Sequence, residues 1–306
     1  MTDTSRRSVL TAALATAAGT TGILAAGPGT AVAAPAAPGA APAGAGAGYA
    51  TLSGYTKYSQ IYQDTARIEG TDYGRRFKRH ERVDATFPGK VQLPGTSVIA
   101  LHGGGIEPGT SEVALGVAGY HPKGLVPTGA ATDPRYDYWM FEGLLGQGQN
   151  AALHVTSTGC DDYHALGLTE GSLNVVSVHG CTANQQGAPG YGLVLGGLNQ
   201  QFKELVAEEL ATLNSGLPAP AIVVVDGSQA PELGGVSLNN PCNRTLLKQG
   251  VQLELTNTLR DSLFDDPSTR TSRANTVNAR FWAFTGAIRA AIVRLEAAQA
   301  AAKTAP

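Results

Sequence analysis

Ser97-Val98-Ile99-Ala100-Leu101-His102-Gly103-Gly104-Gly105-Ile106-Glu107 begins as a short, β-branched apolar run and ends in three glycines, an imidazole and a carboxylate. Apolar runs of that length closed by glycine read as buried strands. The strand therefore delivers His102 and Glu107 into a glycine turn at its carboxyl end. In open α/β sheets that is the edge where ligands bind. A neutral histidine nitrogen beside a carboxylate oxygen is also a common first pair of ligands for a catalytic zinc. The plain alternative is a tight turn with an incidental His and Glu.

His-Gly-Gly-Gly is also the oxyanion-hole motif of lipase-like α/β-hydrolases, which need a Gly-x-Ser-x-Gly elbow further on. No serine sits between two glycines at that spacing: Ser111 has Gly109 but Val113, and Ser237 has Gly235 but Asn239. The serine-hydrolase reading lacks its nucleophile.

Outward from this stretch, the amino terminus reads as an address. Ser5-Arg6-Arg7-Ser8-Val9-Leu10 sets two arginines before a modestly apolar, Ala-rich segment, and Ala31-Val32-Ala33 offers a cleavage site. The pattern predicts a twin-arginine-type signal peptide over 1–33 and a secreted protein. That segment is too weakly apolar for a membrane anchor. Residues 34–48 are almost only Ala, Pro and Gly and read as a flexible linker. A single domain is expected over 49–306, roughly 250 residues and ample for a core. The formal charge of −2 proposes neither nucleic acid nor a membrane surface as partner, and a monomer is expected. Arg75-Arg76-Phe77-Lys78-Arg79-His80-Glu81-Arg82 is a local basic exception, which could attract a polyanion or simply be a solvated face.

Strand-like runs recur at Tyr136–Glu142, Ala151–Ser157 (with His154), Leu173–His179, Pro220–Asp226 and Gly250–Leu255, with Ile222 to Val225 read as buried. Helical spacing recurs at Ser111–Val117, with Thr110 as N-cap, at Gly196–Asn214, and from Ser272 to Ala302. The alternation predicts an α/β fold, a mixed central sheet flanked by helices. His179 repeats the first design, a strand ending in His and then Gly. His102, Glu107 and His179 thus form a two-histidine, one-carboxylate set that leaves a fourth zinc position open for water. Glu254, on a later strand, is the candidate general base for that water; its alternative is an ordinary salt-bridged carboxylate, with Arg260 as partner. The three cysteines, Cys160, Cys181 and Cys242, lack structural-zinc spacing, and a Cys181–Cys242 bridge is one option.

The run Ala100 to Thr110, with Phe141-Glu142-Gly143, Leu153-His154-Val155-Thr156-Ser157, Val178-His179-Gly180, Asn240-Pro241-Cys242-Asn243-Arg244 and Gly250-Val251-Gln252-Leu253-Glu254-Leu255, resembles the poly-γ-glutamate hydrolase family first known from bacteriophages. The resemblance covers Tyr55 to Arg260, in matching order. It implies a carboxypeptidase-A-like, zinc-dependent hydrolase of γ-glutamyl amide bonds, with His102, Glu107 and His179 as zinc ligands and Glu254 as the catalytic glutamate. The export signal and the basic segment are departures from the family pattern. A substrate with one α-carboxylate per residue calls for fixed cations, and Arg244, Arg260 and the neighbouring Asn243 are the candidates. For each arginine a structural ion pair is the alternative. Glu142 and His154 are candidates for orienting the ligands; His121 and His164 read as surface loop residues. Competing functions are a zinc amidase acting on cell-wall γ-glutamyl peptides and a non-catalytic polymer-binding protein.

Overall fold

The computed structural model describes residues 54–80 and 95–304. The expected leader and linker, the domain start at Tyr49 and the last two residues of the basic run, Glu81 and Arg82, lie outside them. Seven strands, β1 (Tyr73–Lys78), β2 (Thr96–Gly104), β3 (Asp137–Gly143), β4 (Asn174–Cys181), β5 (Gly192–Gly196), β6 (Val223–Asp226) and β7 (Val251–Thr256), form one mixed sheet in the order β1-β3-β2-β4-β7-β5-β6. The four central strands β3, β2, β4 and β7 run parallel; β1 and β5 run antiparallel to their neighbours β3 and β7. All residues of these four strands are buried, as expected where both faces of a parallel sheet are covered.

On one face Val98, Ala100, Met140, Val176 and Leu253 pack with α2 (Thr110–Ala118), α4 (Gln200–Gly216) and α7 (Ala279–Thr304). On the other, Ile99, Leu101, Trp139, Phe141 and Val175 pack with Tyr58 of α1 (Tyr58–Gln63) and with Ala165 and Leu168 of α3 (Tyr163–Glu170). No described helix is long and apolar enough to cross a membrane.

One irregularity sets up the site. Ala100 pairs with Met140, but Gly103 pairs with Glu142, so three steps along β2 match two along β3. A single inserted residue reverses the alternation of side chains and re-aims those beyond it. His102 is thereby turned onto the face that carries His179 of β4, and its Nδ1 lies 3.0 Å from that of His179. The displaced Leu101 carbonyl accepts a hydrogen bond from the Tyr58 hydroxyl, so the bulge leaves no stranded acceptor there.

Several sequence expectations need correction. Gly109, with φ +99°, holds the N-cap position of α2; the Thr110 hydroxyl instead donates to Glu107 O at 2.9 Å, closing the turn before the helix. Ala151–Ser157 is not a strand. The Asn150 amide bonds the Leu145 and Gly146 backbone and folds the segment into short 3-10 turns, Asn150–Leu153 and Ser157–Gly159, with His154 extended between them. Strand β5 was not anticipated. Strand β6 is an edge, not buried: Val223 is 49% exposed, because three valines favour strand whatever covers them. The carboxyl-terminal helix is two, α6 (Arg270–Asn275) and α7, since Asn278 Oδ1 accepts from Phe281 N at 3.1 Å and caps the second.

Gly104 has φ +66°, and a Cβ there would lie 2.4 Å from Gly143 O; Gly124 has φ +75° with open space around it. Gly124→Ala should therefore cost only the backbone term, about 1–2 kcal/mol. Gly104→Ala should cost roughly 1–3 kcal/mol more for overpacking, read as the difference between the two urea midpoints at equal slope.

Candidate metal centre

The carboxyl ends of β2, β4 and β7 meet at one edge, and each delivers a titratable side chain there. Beyond the bulge, Glu107 N donates to His102 O at 2.9 Å, and this turn folds the carboxylate back onto its own imidazole. Gly104 O is held from outside by Arg273 Nη2 at 3.1 Å, and Arg273 is paired with the buried Glu112. His102 Nδ1 lies 2.8 Å from Glu107 Oε1, and His102 Nε2 lies 2.7 Å from Val155 O. Glu107 Oε2 accepts from Gly180 N at 2.7 Å and is 3.8 Å from His179 Nδ1. His154 Nε2 is 3.6 Å from Glu107 Oε1, and its ring centroid is 4.0 Å from that of His102.

A carbonyl can only accept, so the contact to Val155 O puts a proton on His102 Nε2 and turns Nδ1 toward the cluster. Nδ1 then meets Glu107 Oε1 and His179 Nδ1 together. One proton on Nδ1 serves one of these contacts; a cation shared by the lone pairs serves all of them. Burial opposes charge on every group. It lowers the His179 pKa to about 3, helped by the neighbouring His102, and by the same two causes lowers that of His154. At His102 burial is outweighed by the Glu107 carboxylate, which raises the imidazole. At Glu107 it is outweighed by His102 and the other hydrogen bonds, which hold the carboxyl well below its usual range. Neutral His154 and His179 beside an ionised Glu107 are the protonation states that metal binding requires, and at His102 Nδ1 a cation would stand in for the proton that Glu107 favours there.

His102, Glu107 and His154 have ligand atoms all within 4.8 Å of one another. His179 reaches His102 and Glu107 at the distances given above. The structure thus brings together the three residues named from the sequence and adds His154 as a candidate ligand rather than only an orienting residue. Its signal was hidden because His154 sits in an apolar run that mimics a strand. Two or three imidazole nitrogens and one carboxylate oxygen suit a borderline divalent ion such as zinc.

Glu254 of β7 is the register partner of His179, so it stands on the same face beside the cluster. It is 7% exposed, and burial, then the charge of Glu107, raises its pKa well above the usual value, against opposing effects of Arg260 and Gln252. Arg260, on α5 (Asn257–Asp261), lies across Gly180, where a Cβ would sit 2.0 Å from Nη1. It too is 7% exposed. Its Nη2 donates to Cys181 O at 3.4 Å, while Nε and Nη1 are buried with no hydrogen-bond partner among the described residues.

The other two substrate candidates are used structurally. Asn243 is fully buried; its Oδ1 accepts from Leu198 N and Gly250 N, and its Nδ2 donates to Gly235 O and Ser237 O. Arg244 is ion-paired with Glu170 of α3. Glu142 lies on the opposite face of the sheet, held by Arg76 at 2.6 Å. His164 is on α3, stacked on Phe77, and His121 packs against the Trp282 ring at a tilted angle of 52°. All three cysteines are free, so Cys181 and Cys242 do not pair.

Sheet and cluster together define an α/β protein with a buried imidazole–carboxylate centre at the carboxyl edge of its parallel strands. The profile of the poly-gamma-glutamate hydrolase family matches residues 76–287, and the chain belongs to that family. It is 35% identical over 188 residues to the UPF0714 protein YndL of Bacillus subtilis (strain 168), covering 61% of this chain and 63% of YndL. It is 27% identical over 185 residues to the SPbeta prophage-derived UPF0714 protein YoqZ of the same organism, covering 60% and 57%. The matched stretch thus spans less than two thirds of either relative. Among solved structures, zinc-free apo YndL superposes with a TM-score of 0.60 at 28% identity, over 79% of this chain and 98% of that one. A bacteriophage poly-gamma-glutamate hydrolase shares the fold with a TM-score of 0.60 at 23% identity, over 80% and 98%.

His102→Ala, His154→Ala and His179→Ala should each weaken binding of Co2+ or Zn2+, roughly 10-fold or more, while His121→Ala should not. Competition against a chromophoric chelator measures it, and unchanged affinity in any one of the three removes that residue from the ligand set.

Proposed function

We propose that this chain is an exported, zinc-dependent hydrolase that cleaves the γ-glutamyl amide bonds of poly-γ-glutamate. The observation that carries the reading is the arrangement at the sheet edge: a lone-pair-rich imidazole–carboxylate cluster, a buried carboxyl on the same face beside it, and a buried guanidinium with unused donors. Family membership supports the substrate class, and the zinc-free description of YndL supports the metal. Export rests on Arg6, Arg7 and the Ala-rich stretch that follows them.

His102, Glu107 and one or both of His154 and His179 would hold the ion. Zinc, when bound, polarises an amide carbonyl and makes water acidic enough to attack near neutral pH. The remaining chemistry belongs to the chain. Glu254 takes the proton from that water and returns it to the leaving amine. Its raised pKa favours the first transfer, because a more basic carboxylate takes and keeps the proton until the departing amine, more basic still, receives it. Arg260 receives a substrate α-carboxylate: Nε and Nη1 have unused N–H groups, and either one forms a bidentate fork with the N–H of Nη2 that Cys181 O leaves free. The Val155 carbonyl fixes the tautomer of His102.

The test is shortening of high-molecular-weight poly-γ-glutamate by the purified chain, followed on gels with chelator and with zinc restored. Glu254→Gln should lower turnover by about 10²–10⁴ with zinc retained. Arg260→Ala should raise KM for the polymer more than it lowers kcat. No shortening by a zinc-loaded chain would sink the substrate assignment and move it to γ-linked wall peptides. Replacing Arg6 and Arg7 together by lysine should trap the protein inside the cell, as fractionation would show.

A further inference from the structure

Gln252 and Glu254 are two residues apart on β7 and so share a face of the sheet. Gln252 Nε2 donates to Glu254 Oε1 at 2.8 Å and to Leu233 O at 3.3 Å. Gln252 Oε1 in turn accepts from Asn240 Nδ2 at 2.7 Å, and Asn240 Oδ1 accepts from Cys242 N at 3.2 Å. Both amides are buried.

The direction of this chain is fixed at each link. Cys242 N–H can only donate, so it claims the oxygen of Asn240 and points the Asn240 NH2 at Gln252. The Leu233 carbonyl can only accept, so it claims the NH2 side of Gln252. Gly235, with φ +61°, lies flat against that amide; a Cβ there would be 2.7 Å from Gln252 Cδ and Oε1. The Gln252 amide therefore presents N–H, and not C=O, to Glu254. Glu254 Oε1 is thus occupied, while Oε2 accepts no hydrogen bond among the described residues.

We infer that Asn240 and Gln252 are positioning residues that hold Glu254 by Oε1, so that Oε2 alone carries the proton in the reaction. The inference rests on the reading of Glu254 as proton carrier given above. Neither amide touches the candidate ligands, so the relay acts on the direction of the carboxyl and not on metal capture.

Two substitutions at one position separate an orienting role from a structural one. Asn240→Ala removes the acceptor for Cys242 N and the donor to Gln252, but leaves Gln252 anchored by Leu233 O. Asn240→Asp keeps the acceptor and turns the donor into a second acceptor, which pushes against Gln252 Oε1 and favours the reversed amide. A purely structural role makes Asn240→Ala the worse variant. The relay makes Asn240→Asp the worse one, with kcat on poly-γ-glutamate at least 10-fold below that of Asn240→Ala, KM unchanged and zinc content kept. Relative to wild type, that loss should be deepest at pH 8 and shrink toward pH 5, where the introduced carboxyl gains a proton and donates again.

A readout independent of turnover is the side-chain carboxyl 13C resonance of Glu254 in metal-free protein, assigned by its absence in Glu254→Gln. It should shift in Asn240→Asp and in Gln252→Leu. Equal or greater kcat loss in Asn240→Ala, or a resonance unmoved in both of the other variants, overturns the relay. Full activity of Glu254→Gln instead overturns the proton-carrier reading, and the resonance then still decides whether the amides hold the carboxyl.

Discussion

A carboxylate and three imidazoles, all buried and within about 4 Å of one another in a chain of contacts, form a group that protons alone do not satisfy. The rest of the molecule can be understood as the means of holding that group together. The extra residue in β2 turns His102 to the correct face, and Tyr58 caps the carbonyl that the bulge displaces. The glycines after it admit the backbone of Gly143, and Arg273, braced by Glu112, holds Gly104 O from the far side of the loop. Glu107 is fixed twice, through its own N–H to His102 O and through Oε2 to Gly180 N. Each support comes from a different element, so the centre is a property of the whole sheet edge rather than of one motif.

The three residues first considered for substrate show how the same residue types divide by environment. Arg244 and Arg260 carry the same group, but Arg244 meets Glu170 near the surface and Arg260 is buried without an ionic partner among the described residues. A buried guanidinium with open donors is costly unless something supplies oxygen atoms. Asn243 has every donor and acceptor matched to backbone and can give nothing to a ligand.

The central strands and the residues at their ends were legible because buried parallel strands are written as short apolar runs, and the His-Gly endings of β2 and β4 are visible by eye. Glu254 was legible for the same reason, a carboxylate in an otherwise apolar run. What sequence hid was context. Ala151–Ser157 has strand-like letters, but the Asn150 side chain turns it into a loop, which is why His154 was given a lesser role. The valines of β6 carry no mark of lying at an edge. Arg244 and Arg260 could not be told apart, since their difference lies in what surrounds them, 74 residues away in sequence for the Arg244–Glu170 pair.

The sheet order carries a consequence for how the molecule comes into being. Strand β7, last in the chain, sits between β4 and β5 and pairs with both. Until residues 251–256 arrive, those two neighbours are open edges, and the sheet is two separate ribbons. The keystone strand also carries Glu254. Pairings this distant in sequence close slowly, so a nascent or truncated chain holds imidazoles with the means to capture metal but no carboxyl to act beside them. Competence and closure of the sheet arrive in the same step.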